Sequence, residues 1–183
     1  MVHVKSPLEI TEPEQYWLRS RDVSDSPKIG GDDYFTDHDV THPENVTEGD
    51  LPPADSEAIR KIDYEALDHE KTIGKWQVTG CAERIEELWP EFLADAENGI
   101  IWGVKAMTAY GYAELSMYDD YLLTVYTPNY FEEHDVKRVR HHLRDEYDIA
   151  HEIYYKPDIY TTKGIVHETA EEFGLSAPAR YVE

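Results

Sequence analysis

Two amphipathic stretches, separated by three short runs of β-forming residues, restrict this chain more than any other feature. In "CAERIEELWPEFLADAENG", Ile85, Leu88, Trp89, Phe92, Leu93 and Ala96 recur at helical spacing, and Gly99 stands where a helix is expected to stop. In the second stretch, Phe131 to Tyr147, the apolar stripe is Val136, Val139, Leu143 and Tyr147. Its acids, Glu132, Glu133 and Asp135, come first, and its cations, Arg138, Arg140 and Arg144, come later, as the helix dipole favours. Pro90 interrupts the first stripe and predicts a kinked or broken helix, because an interior proline removes a backbone hydrogen bond.

Around these helices, "GKWQVTG", "IIWGVKAMT", "YAELSMYDD", "YLLTVYT" and "AHEIYYKP" read as strands. "YWLRSRD", Tyr16 to Asp22, reads as an earlier one, and "SEAIRKIDYEAL" as a short helix carrying Ile59, Ile62 and Ala66 on one side. From Gly74 onward the order is β-α-β-β-β-α-β. Helices separated by runs of consecutive strands predict an α+β fold with both helices on one face of an antiparallel sheet. The organisation is an N-terminal arm over 1–15 and a single α+β domain over 16–183. The proline-rich acidic segment 36–55 forms a long loop within that domain.

Charge narrows the setting. The chain of 183 residues carries 39 acidic and 17 basic side chains, a net charge of −22, spread along its whole length. A diffuse acidic surface suits a protein working in concentrated salt, where self-repulsion is screened, and points to a halophilic cytoplasmic protein. An acidic binding protein from a moderate environment is the alternative. The first residues lack the apolar core of a signal peptide, and no run is long enough for a membrane span, so a cytoplasmic location with no membrane partner is expected. Cys81 is the single cysteine, which leaves no intrachain disulfide.

No phosphate-binding GxxxxGK[ST], dinucleotide GxGxxG, HExxH, CxxC or GxSxG motif is present, and no cofactor is expected. His38 and His42, with Asp37 and Asp39, lack a rigid framework, so no metal site is assigned. Cys81 opens the first helix but has no base near it in sequence, and reads as an inert thiol. Trp76, Trp89 and Trp102 are expected in the core, with base stacking by Trp17 or Trp102 the lesser alternative.

The scarce cations are more informative. Lys75, Lys105 and Lys156 sit in predicted strands, and Lys137, Arg138, Arg140 and Arg144 share one helix beside His141 and His142. In so acidic a chain, cations on neighbouring elements can form a floor for phosphate, or can balance nearby carboxylates. "HEIYYKPDIYTTKGI" concentrates the question: Pro157 fixes a turn after Lys156, Asp158 orients the lysine or caps the turn, and Lys163 is expected at the surface.

These segments resemble a known family. "GKW" (Gly74–Trp76), the helix with Trp89, "VKAMT" (Val104–Thr108), "VYTPNYFEEHDVKRV" (Val125–Val139), "LR" (Leu143–Arg144) and "KPDIYTTKGI" (Lys156–Ile165) are similar to the basophilic-leukaemia-expressed protein family. The resemblance implies a curved antiparallel sheet backed by helices, like that of the cap-binding initiation factor 4E. It also implies that Lys75, Lys105, Arg144, Lys156 and Asp158 bind phosphate. The paired cap-stacking tryptophans have no counterparts here. Similar archaeal sequences are associated with a phosphothreonine lyase domain, in which a lysine takes the α-proton and a histidine protonates the leaving phosphate. The Lys-x-His pair of those lyases is missing, which leaves Lys75, Lys105 and His141 as candidate catalytic residues.

Three functions are consistent with this reading. The first is a module that recognises a phosphorylated ligand: a nucleotide, RNA or a phosphopeptide, with no DNA expected. The second is a lyase-like enzyme acting on phosphothreonine. The third is a non-catalytic domain whose acidic face meets a basic protein. The oligomeric state is open.

Overall fold

The computed structural model describes residues 4–115 and 118–183. In chain order its elements are β1 (Trp17–Arg19), α1 (Ser20–Val23), α2 (Asp33–Asp37), α3 (Glu57–Asp68), β2 (Gly74–Gly80), α4 (Ala82–Glu97), β3 (Gly103–Met107), α5 (Ala109–Glu114), β4 (Tyr121–Thr127), α6 (Glu133–Tyr147), β5 (Tyr154–Pro157), α7 (Asp158–Thr162) and β6 (Tyr181–Val182). The strands form one open sheet in the order β1-β3-β4-β2-β5-β6. β1 with β3, β3 with β4 and β5 with β6 run antiparallel. The fold is α+β. The chain divides into two compact units, Met1–Tyr34 with Gln77–Tyr126, and Phe35–Trp76 with Thr127–Glu183.

In the first unit, α4 packs on β3. Ile85, Leu88, Trp89, Phe92, Leu93 and Ala96 are all buried, as helical periodicity demands, together with Val104 and Ala106 of β3. The Trp89 indole N–H donates to the Lys5 carbonyl at 3.1 Å. Pro90 does not divide this helix, which runs unbroken from Ala82 to Glu97. The carbonyl that loses its partner is that of Glu86, an exposed residue, where water can replace the missing N–H.

Two strand assignments need correction in this unit. The run read as a strand over "YAELSMYDD" begins within the helix α5; Ser116 and Met117 lie outside the described residues. Thr108 is the cause: its hydroxyl accepts from the Gly111 N–H at 2.9 Å and caps a helix start. Gly111 is needed there, since a Cβ would collide with the Tyr16 backbone. The early strand is also shorter than expected, because the chain leaves β1 after Arg19 and turns into α1.

In the second unit, Ile59, Ile62 and Ala66 of α3 and Val136, Val139 and Leu143 of α6 are buried. α6 runs from Glu133 to Tyr147 and is capped by Asp148, which adopts φ +51°. The Trp76 indole of β2 donates to the Val136 carbonyl of α6 at 2.9 Å. Its ring meets that of Tyr155 edge-on, with centroids 5.2 Å apart. Tyr155 lies where a side chain on Gly74 would stand, and its hydroxyl is hydrogen bonded to that of Thr127 at 2.6 Å. Gly74→Ala forces a methyl into a fixed phenol ring. We expect a loss of about 1–3 kcal/mol, the usual penalty for overpacking, seen as a lower urea midpoint. An unchanged midpoint would show that Tyr155 can move aside.

Candidate functional site

Strand alternation determines which side chains share a face. Successive residues of a strand point to opposite sides of the sheet. Trp76 of β2 and Tyr155 of β5 touch each other, and these strands are neighbours in the sheet. Lys75 and Lys156, each one position away, therefore share the opposite face. Both are buried, each 9% exposed.

The two lysines have different partners. Lys75 donates to the carboxylate of Asp158, the first residue of α7. The Asp158 side chain is 45% exposed and is the solvent-facing member of the group. Its backbone N–H donates to the Ile73 carbonyl at 2.9 Å, which ties α7 to the approach of β2. The Lys156 amine donates to the Ile165 carbonyl at 2.8 Å, a neutral acceptor. Among the described residues no carboxylate lies in ion-pair contact with it. Burial and then the neighbouring Lys75 charge lower the Lys156 pKa, while Asp158 partly offsets them. Of the two buried lysines, Lys75 has Asp158 in ion-pair contact and Lys156 does not.

The other candidates have partners of their own. Arg144 spends its guanidinium on backbone: Nη1 donates to the carbonyls of Ile149 and His151, and Nη2 to that of Glu183. It closes the chain after α6, where the last helical turn leaves no internal donors. His141 is exposed on α6 and meets Arg140 at 3.2 Å. Lys105 belongs to the first unit, with its amine 4.3 Å from the centre of the Trp17 ring and 5.9 Å from that of Tyr126, a cation–π arrangement. Trp17 is half-buried beneath it, while Trp76 and Trp89 are core. Lys163 is exposed and pairs with Glu65. In the 36–55 segment, the His42 ring stacks on Phe35. Glu132 accepts from both the backbone N–H and the hydroxyl of Thr41.

One cluster had no signal in the sequence. Arg180 grips Asp63 with both arms, at 3.0 and 3.1 Å, and their side chains are 4% and 0% exposed. The Tyr130 hydroxyl donates to the same carboxylate at 2.8 Å. Arg180 also donates to the Tyr160 hydroxyl at 3.1 Å and to the Pro53 carbonyl. Burial works against the charged Arg180, but Tyr160 and Asp63 outweigh it and keep the guanidinium firmly protonated. The guanidinium and the carboxylate satisfy each other, so the cluster reads as an anchor of the second unit.

The family model described as basophilic leukemia-expressed protein Bles03 matches residues 34–164. This chain belongs to that family. No curated protein matches it significantly. The span shared with the family holds Lys75, Lys156 and Asp158 and also Asp63, whereas Arg180 lies beyond it. Among the described residues no helix is long and apolar enough to cross a membrane.

These charges can be tested through stability. Arg180→Met strands the Asp63 carboxylate in the interior and is expected to lower stability by about 3–5 kcal/mol, measurable by chemical denaturation. For Lys156 the sign is opposite to that of an ordinary paired lysine. Its folded pKa is below the usual 10.5, so between these values the unfolded chain binds more protons. Its burial penalty is complete below the folded pKa and disappears as pH rises toward 10.5. Denaturation of wild type and Lys156→Met in parallel should show wild type gaining on the variant across that window. A constant difference would mean that Lys156 is not destabilised as a cation.

Proposed function

We propose that this protein is a phosphate-recognising module which binds a nucleotide, RNA or phosphopeptide through the Lys75–Lys156 pair. One observation supports the reading: two buried lysines of adjacent strands share one face, and Asp158 pairs with Lys75 but not with Lys156. Confining like charges is unfavourable unless an anion compensates them, and a chain with a net charge of −22 has ample carboxylates to have separated them. A phosphate bound beside both lysines would supply that compensation. Related expectations belong to the same reading: a fold of the initiation factor 4E type, no DNA partner, a cytoplasmic location, and an acidic surface adapted to concentrated salt.

The second reading is elimination of phosphate from phosphothreonine. Its support is Lys156 itself. An amine buried beside another cation and bonded to a neutral carbonyl is in the free-base form, which a general base needs, more often than an exposed lysine. Lys156 is then a stronger candidate for the base than Lys75, which is held by Asp158, or Lys105, which lies over Trp17.

One experiment separates the two. A phosphothreonine peptide, a nucleotide and a short RNA are each titrated calorimetrically, and the peptide is then examined by mass spectrometry. Binding without change of mass supports the module. Loss of phosphoric acid supports the lyase. Lys156→Ala is expected to weaken phospholigand binding by about 1.5–3 kcal/mol, the range for a hydrogen bond to a charged group. Binding of all three ligands unaltered in the variant sinks the site.

A further inference from the structure

The Lys75–Lys156 pair contains a division of labour that phosphate binding does not require. Lys75 sits against the carboxylate of Asp158 in an ion pair. Among the described residues Lys156 has no such counter-ion, and its hydrogen bond goes to the Ile165 carbonyl, which accepts from an amine as well as from an ammonium. The amine is buried, and the ammonium of Lys75 is close enough to act on it. A lysine desolvated next to a second cation is one of the recognised ways to make an amine nucleophilic at neutral pH.

We infer that Lys156 is a carbonyl-reactive nucleophile and that its ligand is a small phosphorylated aldehyde or ketone, with Lys75 on the phosphate. The inference takes the anionic end of the ligand from the function proposed above and adds a covalent step. In that step the neutral Lys156 nitrogen attacks the carbonyl carbon and forms a carbinolamine. The carbinolamine loses its oxygen as water, with both hydrogens supplied by the original amine, and leaves an imine. No electrons are exchanged and no co-reactant is needed. The phosphate takes the place of the Asp158 carboxylate on Lys75, and Asp158, already facing solvent, swings outward.

The rest of the cluster suits this role. Lys156 is the next-to-last residue of β5; Pro157, whose fixed φ holds the strand end, is the last, and α7 follows at once. Tyr155 is locked on the other face by Gly74 and Thr127, so the backbone that carries Lys156 has little freedom. A nucleophile on a rigid strand keeps its aim in a way that a loop lysine does not.

The test is reductive trapping of the whole protein at neutral pH. Glycolaldehyde phosphate and glycolaldehyde are each added with cyanoborohydride, which reduces an imine to a stable secondary amine, and the modified lysines are mapped by peptide mass spectrometry. The expected result is an adduct on Lys156 formed faster than on Lys61, whose side chain is 73% exposed. Each unit by which a lysine pKa is lowered gives about tenfold more free amine. The phosphorylated aldehyde should react faster than the neutral one, and inorganic phosphate should protect. Lys156 modified no faster than Lys61 overturns the inference, even if inorganic phosphate is found to bind. Lys156 modified alike by both aldehydes, with no protection by phosphate, keeps the nucleophile and removes the phosphate reading. Mapping uses wild-type protein, so the outcome does not depend on whether Lys156→Arg folds.

Discussion

The close approach of Tyr155 to Gly74 is the contact on which the arrangement of the second unit turns. The ring occupies the volume a side chain would need, and its hydroxyl is held by Thr127. Burial keeps that hydroxyl protonated, well above the ordinary range for a tyrosine. With the ring seated, the Trp76 edge can meet it and the indole can reach α6. Alternation along β2 and β5 then sends Lys75 and Lys156 to the other side together. The cation pair is a by-product of how two aromatic residues pack.

This placement explains why the pair is chemically unequal. A single carboxylate at the start of α7 reaches Lys75 in ion-pair contact but not Lys156. The asymmetry goes with the direct passage from β5, which ends at Pro157, into α7, which begins at Asp158. A second acid at this position would have neutralised both lysines and left an inert surface pair.

Part of this was legible in the sequence. The stripes of α4 and α6 and the strand character of "GKWQVTG" and "YYKP" follow from local spacing, which is the information a linear pattern carries. Lys75, Lys156 and Asp158 stood out because cations are rare in this chain. Other features were hidden for physical reasons. "YAELSM" alternates polar and apolar residues like a strand, but the Thr108 hydroxyl and the close packing of Gly111 decide for a helix. Arg144 resembles a ligand-binding cation until the carbonyls of Ile149, His151 and Glu183 are seen to consume its donors. Arg180 and Asp63 are separated by 117 positions, and nothing local marks either one as buried. Such a pair is a property of the tertiary fold.

That separation has a consequence for how the molecule is made. A ribosome delivers Asp63 on α3 long before it delivers Arg180, at about 5–20 residues per second. Throughout that interval α3 carries a carboxylate whose destined place is dry and whose buried cation, Arg180, does not yet exist. The carboxylate stays hydrated, and α3 cannot settle into its final position while it does. Each unit is also assembled from two stretches that alternate along the chain, so neither can close early. Closing such distant pairs is slow, because the entropy of long loops is lost before the contacts repay it. Completion of the second unit thus waits for the stretch that carries Arg180.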